Sequence, residues 1–182
     1  MRCFISINLP TEIRKFLGDI ISRLDELNQG QNIKWVEAEN IHLTLAFLGE
    51  ITPQQVEVLS QGLDTIKFTP FSVSLNQLGA FPSVLQPQVI KISLRDDGHN
   101  LQKISDAIRQ ILSKLKIDAD DKPFSAHITL GRIKNRGVAK INLQIPIEPL
   151  AFIIEHVDLM QSQLTPRGPV HSLINFFNPS HV

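Results

Sequence analysis

Two tetrapeptides of one pattern, His42-Leu43-Thr44-Leu45 and His127-Ile128-Thr129-Leu130, lie far apart in the chain and restrict what it can fold into. Each alternates polar with aliphatic residues, the period-2 signature of a strand buried on one side. On such strands His42 and Thr44 share one face, while Leu43, Leu45 and Phe47 share the other. His127 and Thr129 likewise share a face backed by Ile128 and Leu130. Each motif delivers an imidazole and a hydroxyl from a rigid sheet whose reverse side is core.

The remaining pattern surrounds these strands with more of the same. Arg2 to Leu9 alternates, with Cys3, Ile5, Ile7 and Leu9 on one face. Pro10-Thr11-Glu12 opens a helix in which Thr11 is the expected cap, and apolar residues recur at helical spacing from Ile13 to Leu27. Further helices are expected over about Pro53–Lys67 and from Leu101 to Leu115. Strands are expected at Ile33–Val36, Ile41–Leu48, Phe71–Leu78, Val89–Leu94, Ala126–Ile133, Ala139–Ile147, Ala151–Leu159 and Val170–Phe177. Three helices among so many strands, without regular βαβ alternation, predict an α+β fold with mainly antiparallel sheets. No Gly/Ser-rich linker divides the chain, so it reads as one domain over 1–182.

Composition excludes several function classes. With 42% hydrophobic and 20% charged residues, and 18 Lys+Arg against 18 Asp+Glu, the 182-residue chain is neither disordered nor low-complexity. Its one cysteine, Cys3, rules out a disulfide scaffold and suits a reducing compartment. Net charge near zero disfavours binding of a long duplex, which needs many phosphate contacts, but leaves room for a site holding one phosphate or a strand end. No signal peptide or membrane-length apolar run is visible, so the expectation is a cytoplasmic protein with no membrane partner. No Cys/His or carboxylate cluster has metal-ligand spacing, and no metal or other cofactor is expected.

Two His-Thr pairs facing each other suggest a specific chemistry. Imidazoles on opposite sides of a tetrahedral phosphate can share an in-line displacement, one taking a proton from water and the other giving one to the leaving oxygen. Histidine suits both tasks because its ordinary pKa of about 6.5 lies near neutrality. The threonine hydroxyls can donate hydrogen bonds to the non-bridging oxygens.

Beyond these motifs, four separated stretches carry a resemblance. They are Arg2-Cys3-Phe4-Ile5-Ser6-Ile7; Lys34-Trp35-Val36 with Glu39 to Glu50; Phe124-Ser125-Ala126-His127-Ile128-Thr129-Leu130-Gly131-Arg132; and Ser162-Gln163-Leu164-Thr165-Pro166-Arg167-Gly168-Pro169. In this order they resemble the 2H phosphoesterase superfamily, within it the RNA 2′,3′-cyclic phosphodiesterases once called 2′-5′ RNA ligases. The resemblance implies a bilobal, pseudo-two-fold fold with a central cleft and helices outside. It implies metal-independent hydrolysis of RNA 2′,3′-cyclic phosphate ends, such as those of tRNA fragments, to 2′-phosphomonoesters. It makes His42 the proton donor and His127 the proton acceptor, with Thr44 and Thr129 gripping the phosphate and Arg132 binding it. The protein is expected to act as a monomer. Two positions depart from the family pattern: Ala46, read on the face of His42 and Thr44, replaces a basic or polar residue, and His171 stands where a tyrosine is usual. Related readings are reversible 2′-5′ RNA ligation, opening of a small cyclic nucleotide, or an RNA-end-binding module without turnover.

Other residues carry two readings each. Strict alternation puts Arg132 on the face of Ile128 and Leu130, away from His127, unless Gly131 introduces a bulge; otherwise Arg132 is solvated surface. Lys134, Arg136 and Lys140 could draw in an RNA strand or form an ordinary basic loop. Phe4 could stack on an unpaired base or pack in a small core. Trp35 reads as structural and Cys3 as inert packing. His99, His156, His171 and His181 lack matching partners and read as ordinary residues.

Overall fold

A computed structural model describes residues 1–120, 122–134, 140–166 and 168–178. The strands are β1 (Arg2–Asn8), β2 (Ile33–Trp35), β3 (His42–Glu50), β4 (Phe71–Pro82), β5 (Pro87–Arg95), β6 (His127–Ile133), β7 (Ala151–Ile154), β8 (Val157–Thr165) and β9 (Gly168–Phe177). Three helices, α1 (Thr11–Leu27), α2 (Pro53–Leu63) and α3 (Asn100–Leu115), complete the expected α+β architecture. The strands form one antiparallel sheet in the order β7-β4-β5-β6-β3-β1-β8-β9, with β2 added on β6. The order has a symmetry: four strands lie on each side of the β3–β6 seam, and each side contributes one His-x-Thr strand to it.

The helices follow their apolar stripes. Ile13, Leu17, Ile20, Ile21 and Leu24 of α1 are buried, as are Leu101, Ile104, Ile108 and Leu112 of α3, in one core with Ile5, Leu43, Ile92 and Ile128 from the sheet. Thr52 and Gln55 form a reciprocal capping box at the start of α2. Gly62 allows α2 to approach α3 closely, since a Cβ there would lie 2.7 Å from Ile111 Cγ2.

Four sequence expectations are corrected. Pro10, rather than Thr11, occupies the cap position of α1. Helix α2 ends at Leu63, short of Lys67, where Thr65 Oγ1 donates to Gly62 O and a turn folds Ile66 into the core. The segment expected as one strand over Ala151–Leu159 is broken at Glu155-His156, and its pieces belong to opposite halves: β7 pairs with β4, β8 with β1. The strand expected at Ala139–Ile147 is absent over 140–147; Ala139 lies outside the described residues.

The last difference has a clear cause. Asn28, buried just beyond α1, does what a neighbouring strand would do. Its Nδ2 donates to Asn142 O (2.9 Å) and its Oδ1 accepts from Asn142 N (2.6 Å), while Nδ2 also reaches Leu24 O (2.7 Å). The segment thereby satisfies backbone groups without a ladder and still packs Ile145 into the core. Asn28→Ala should destabilise the protein by about 1–3 kcal/mol, the range for leaving buried polar groups unpaired. Urea unfolding checks this, and an unchanged midpoint would contradict it.

Candidate active site

The two motifs meet at the centre of the sheet. Leu43 of β3 and Ile128 of β6 are register partners, and both are fully buried. An antiparallel pair centred there sets His42 across from Thr129 and Thr44 across from His127. These four residues occupy the face opposite the core, so each imidazole neighbours the other motif's threonine.

At the last residue of each motif the strand bulges in the same way. In β3 the register with β1 passes from Thr44 to Ala46 and skips Leu45; in β6 the register with β5 passes from Thr129 to Gly131 and skips Leu130. A bulge reverses alternation, so the next residues exchange faces. This explains why Arg132 lines the cleft despite the parity of its sequence position. It also corrects the reading of β3: Ala46 packs against the core, and Phe47, expected on the buried side, is half exposed in the cleft. Phe47 and Arg132 thus occupy corresponding positions in the two halves, one offering an aromatic ring and the other a guanidinium.

The cleft has a volume of about 410 Å³, and its walls include His42, Thr44, Thr129, Arg132 and Phe47. His127 is not part of that wall; it stands at the start of β6, half-buried beside Thr44's position. Both rings are held by the same device. His42 Nδ1 lies 2.7 Å from Asn40 O and His127 Nδ1 lies 2.6 Å from Ser125 O, each the carbonyl two residues earlier. A carbonyl only accepts, so Nδ1 carries the hydrogen and Nε2 is left free to take or give a proton. Asn40 belongs to a 3₁₀ turn, Ala38–Asn40, that ties itself to the β8–β9 hairpin through Asn40 Nδ2 and Pro169 O (3.3 Å).

The two imidazoles differ in their surroundings. Phe4 is buried, with its ring centroid 4.9 Å from that of His42 and 4.9 Å from that of His171, and His42 and His171 meet edge-to-face at 5.4 Å. Phe4 therefore packs against His42 at the wall of the cleft, with little of its ring exposed. Burial pushes the His42 pKa down to about 4; the Asn40 carbonyl opposes this, and the charges of His171 and Arg132 add to it. Burial also lowers His127, with the Ser125 carbonyl opposing and Lys91 and Arg132 reinforcing. The environment supplied by the protein thus favours two neutral rings.

The other histidines divide. His171, which the resemblance marks as standing where a tyrosine is usual but which otherwise reads as ordinary, lines the cleft, and the pairing of Ser162 with His171 across the β8–β9 hairpin helps to bring it beside His42. His99 occupies the left-handed cap of α3, His156 Nε2 lies 3.4 Å from buried Asp158 Oδ1, and His181 lies outside the described residues. Lys134 and Lys140 are exposed, whereas Arg136 and Arg167 also lie outside the described residues. Cys3 is buried, which raises its thiol pKa. Trp35 is structural as expected, its Nε1 donating to Asp25 Oδ1 at 2.6 Å. Among the described residues, no three His, Cys, Asp or Glu side chains gather as a metal site, and no helix is long and apolar enough to cross a membrane.

Comparison with known proteins identifies the family of the chain. The family model for LigT-like phosphoesterases matches residues 7–90 and 92–171, one His-x-Thr motif in each stretch. A protein of Archaeoglobus fulgidus named RNA 2′,3′-cyclic phosphodiesterase is 33% identical over 180 residues, covering 97% of this chain and 99% of its own. One of the same name from Thermotoga maritima is 30% identical, covering 96% and 93%. The crystal structure of a Thermus thermophilus protein superposes with a TM-score of 0.84 at 27% identity over 100% of both chains. The E. coli LigT protein complexed with 3′-AMP shares the fold, with a TM-score of 0.78 at 23% identity over 99% and 98%. The chain belongs to the LigT-like family of 2H phosphoesterases.

Proposed function

We propose that the protein hydrolyses RNA 2′,3′-cyclic phosphate ends to 2′-phosphomonoesters, without a metal, by paired imidazole catalysis. The observation that carries this reading is the seam register, which gathers both His-x-Thr motifs on one face around the Leu43–Ile128 pair. The names of the relatives, RNA 2′,3′-cyclic phosphodiesterases, support the substrate class. His127 Nε2 takes a proton from water as the water oxygen bonds to phosphorus, and the P–O3′ bond breaks. His42 Nε2 gives its proton to the departing O3′. Thr44 and Thr129 donate to the non-bridging oxygens, and Arg132 offsets the phosphate charge. Solvent then removes the proton from His127 and returns one to His42.

The role of His42 as acid has an electrostatic requirement. Its surroundings hold its pKa near 4, so a protonated ring must be supported by the substrate itself. A negative phosphate about 4 Å away is worth about 4 kcal/mol at an effective dielectric constant of 20. At about 1.4 kcal/mol per pKa unit, that is enough to raise the pKa of the ring to about neutral pH, so that it can carry a proton. Substrate would therefore recruit the proton that cleaves it.

These roles have measurable consequences. His42→Ala and His127→Ala should each lower kcat/KM on a cyclic-phosphate-ended oligonucleotide by about 10²–10⁴-fold with folding retained, and the double mutant by much less than the product. Wild-type turnover should persist in excess EDTA. Near-normal rates in either single mutant, or loss of activity in EDTA, would overturn the scheme. Secondly, binding of a non-reactive 2′-O-methyl 3′-phosphodiester end, whose charge is fixed, should take up protons at neutral pH. Binding raises the His42 pKa, so affinity should fall as pH rises through the bound-state value. Calorimetry in buffers of different ionisation enthalpy reads the uptake; it should vanish in His42→Ala, and its absence from wild type would contradict the argument.

A further inference from the structure

The cleft is lined by three cations, Arg2, Lys34 and Arg132, and two of them face each other where a sheet ordinarily avoids it. Lys34 of β2 and Arg132 of β6 are direct register partners, and both line the cavity. Like charges directly opposite one another weaken an antiparallel pair. Among the described residues neither is offset by an ion pair, although Glu37 also lines the cavity. An anion between them would turn this local cost into binding.

The strand bearing Lys34 is firmly seated. Val36 N donates to Leu130 O (2.9 Å), and Trp35 is held by Asp25. The indole lies so close over Gly131 that a Cβ there would be 2.7 Å from Trp35 Cε3. Lys34 Nζ points across the cleft, 3.5 Å from where a Cβ would stand on Gly168 at the β8–β9 hairpin. Arg132 lies nearer the chemistry, because it follows Thr129 on the strand that carries His127, whereas the strand of Lys34 pairs only with the Gly131–Ile133 end of β6. The phosphate-gripping Thr129, then Arg132, then Lys34 form a path leading away from the reacting centre.

We propose that Lys34 binds the phosphodiester immediately upstream of the reacting cyclic phosphate, with Arg132 bridging the two, so that the site selects the end of a polynucleotide chain over a mononucleotide. This rests on the phosphodiesterase reading above and assigns part of the substrate to a residue outside both motifs. Lys34 is exposed, so its replacement leaves the core intact. The test compares kcat/KM on a cyclic-phosphate-ended pentaribonucleotide and on a nucleoside 2′,3′-cyclic monophosphate. Lys34→Ala should lower the first about tenfold, the scale of one lost charge-assisted contact, and leave the second within about twofold. It should also reduce the salt slope for the pentanucleotide by about one phosphate contact, and Lys34→Arg should restore the rate. Equal losses on both substrates would place Lys34 on the reacting phosphate, and no loss on either would remove it from the site; each result overturns the proposal. A wild-type protein inert on both would instead defeat the phosphodiesterase reading.

Discussion

The pairing of Leu43 with Ile128 is the contact on which the site depends. It is the sole register pair joining β3 to β6 among the described residues. Because both side chains are fully buried, the residues on either side of each must turn outward. A one-residue slip would send the imidazoles into the core and the aliphatic residues into the cleft. Such a narrow seam is stable because the strands on either side are broadly paired, β3 with β1 and β6 with β5. Core packing and site geometry are thus consequences of the same register.

The matched bulges at Leu45 and Leu130 add to this symmetry what alternation alone could not. A straight strand would bury the fifth residue after each histidine. With one residue skipped, Phe47 and Arg132 reach the cleft instead. The halves then diverge chemically. His42 packs in a cluster with Phe4 and His171, whereas His127, likewise the first residue of its strand, has the more exposed setting. Two similar motifs are placed by similar backbone and made unequal by their neighbours.

Much of this was legible in the sequence because it depends on local periodicity. The alternating motifs, the apolar stripes of α1 and α3, and the absence of βαβ order all predict the observed α+β sheet. What the chain pattern could not express was pairing at a distance. Asn28 and Asn142 satisfy each other across the molecule, so an apparently strand-like stretch has no ladder. The break at Glu155-His156 separates pieces that read as one strand, and it becomes visible only when β4 and β1 are seen to claim them. Ala46, Phe47 and Arg132 required the bulge positions, which depend on register with a neighbouring strand. His171 looked ordinary because its partners, Phe4 and His42, come from the opposite end of the chain.

The central claim is that both imidazoles address one phosphorus atom through Nε2. A crystal structure of the protein with a vanadate mimic of the pentacoordinate phosphate tests it most directly. The account predicts one vanadium centre with His42 Nε2 and His127 Nε2 on opposing apical oxygens, each at about 2.6–3.2 Å, and with Thr44 and Thr129 on equatorial oxygens. A vanadate held by one ring alone, or bound away from the β3–β6 seam, would contradict it.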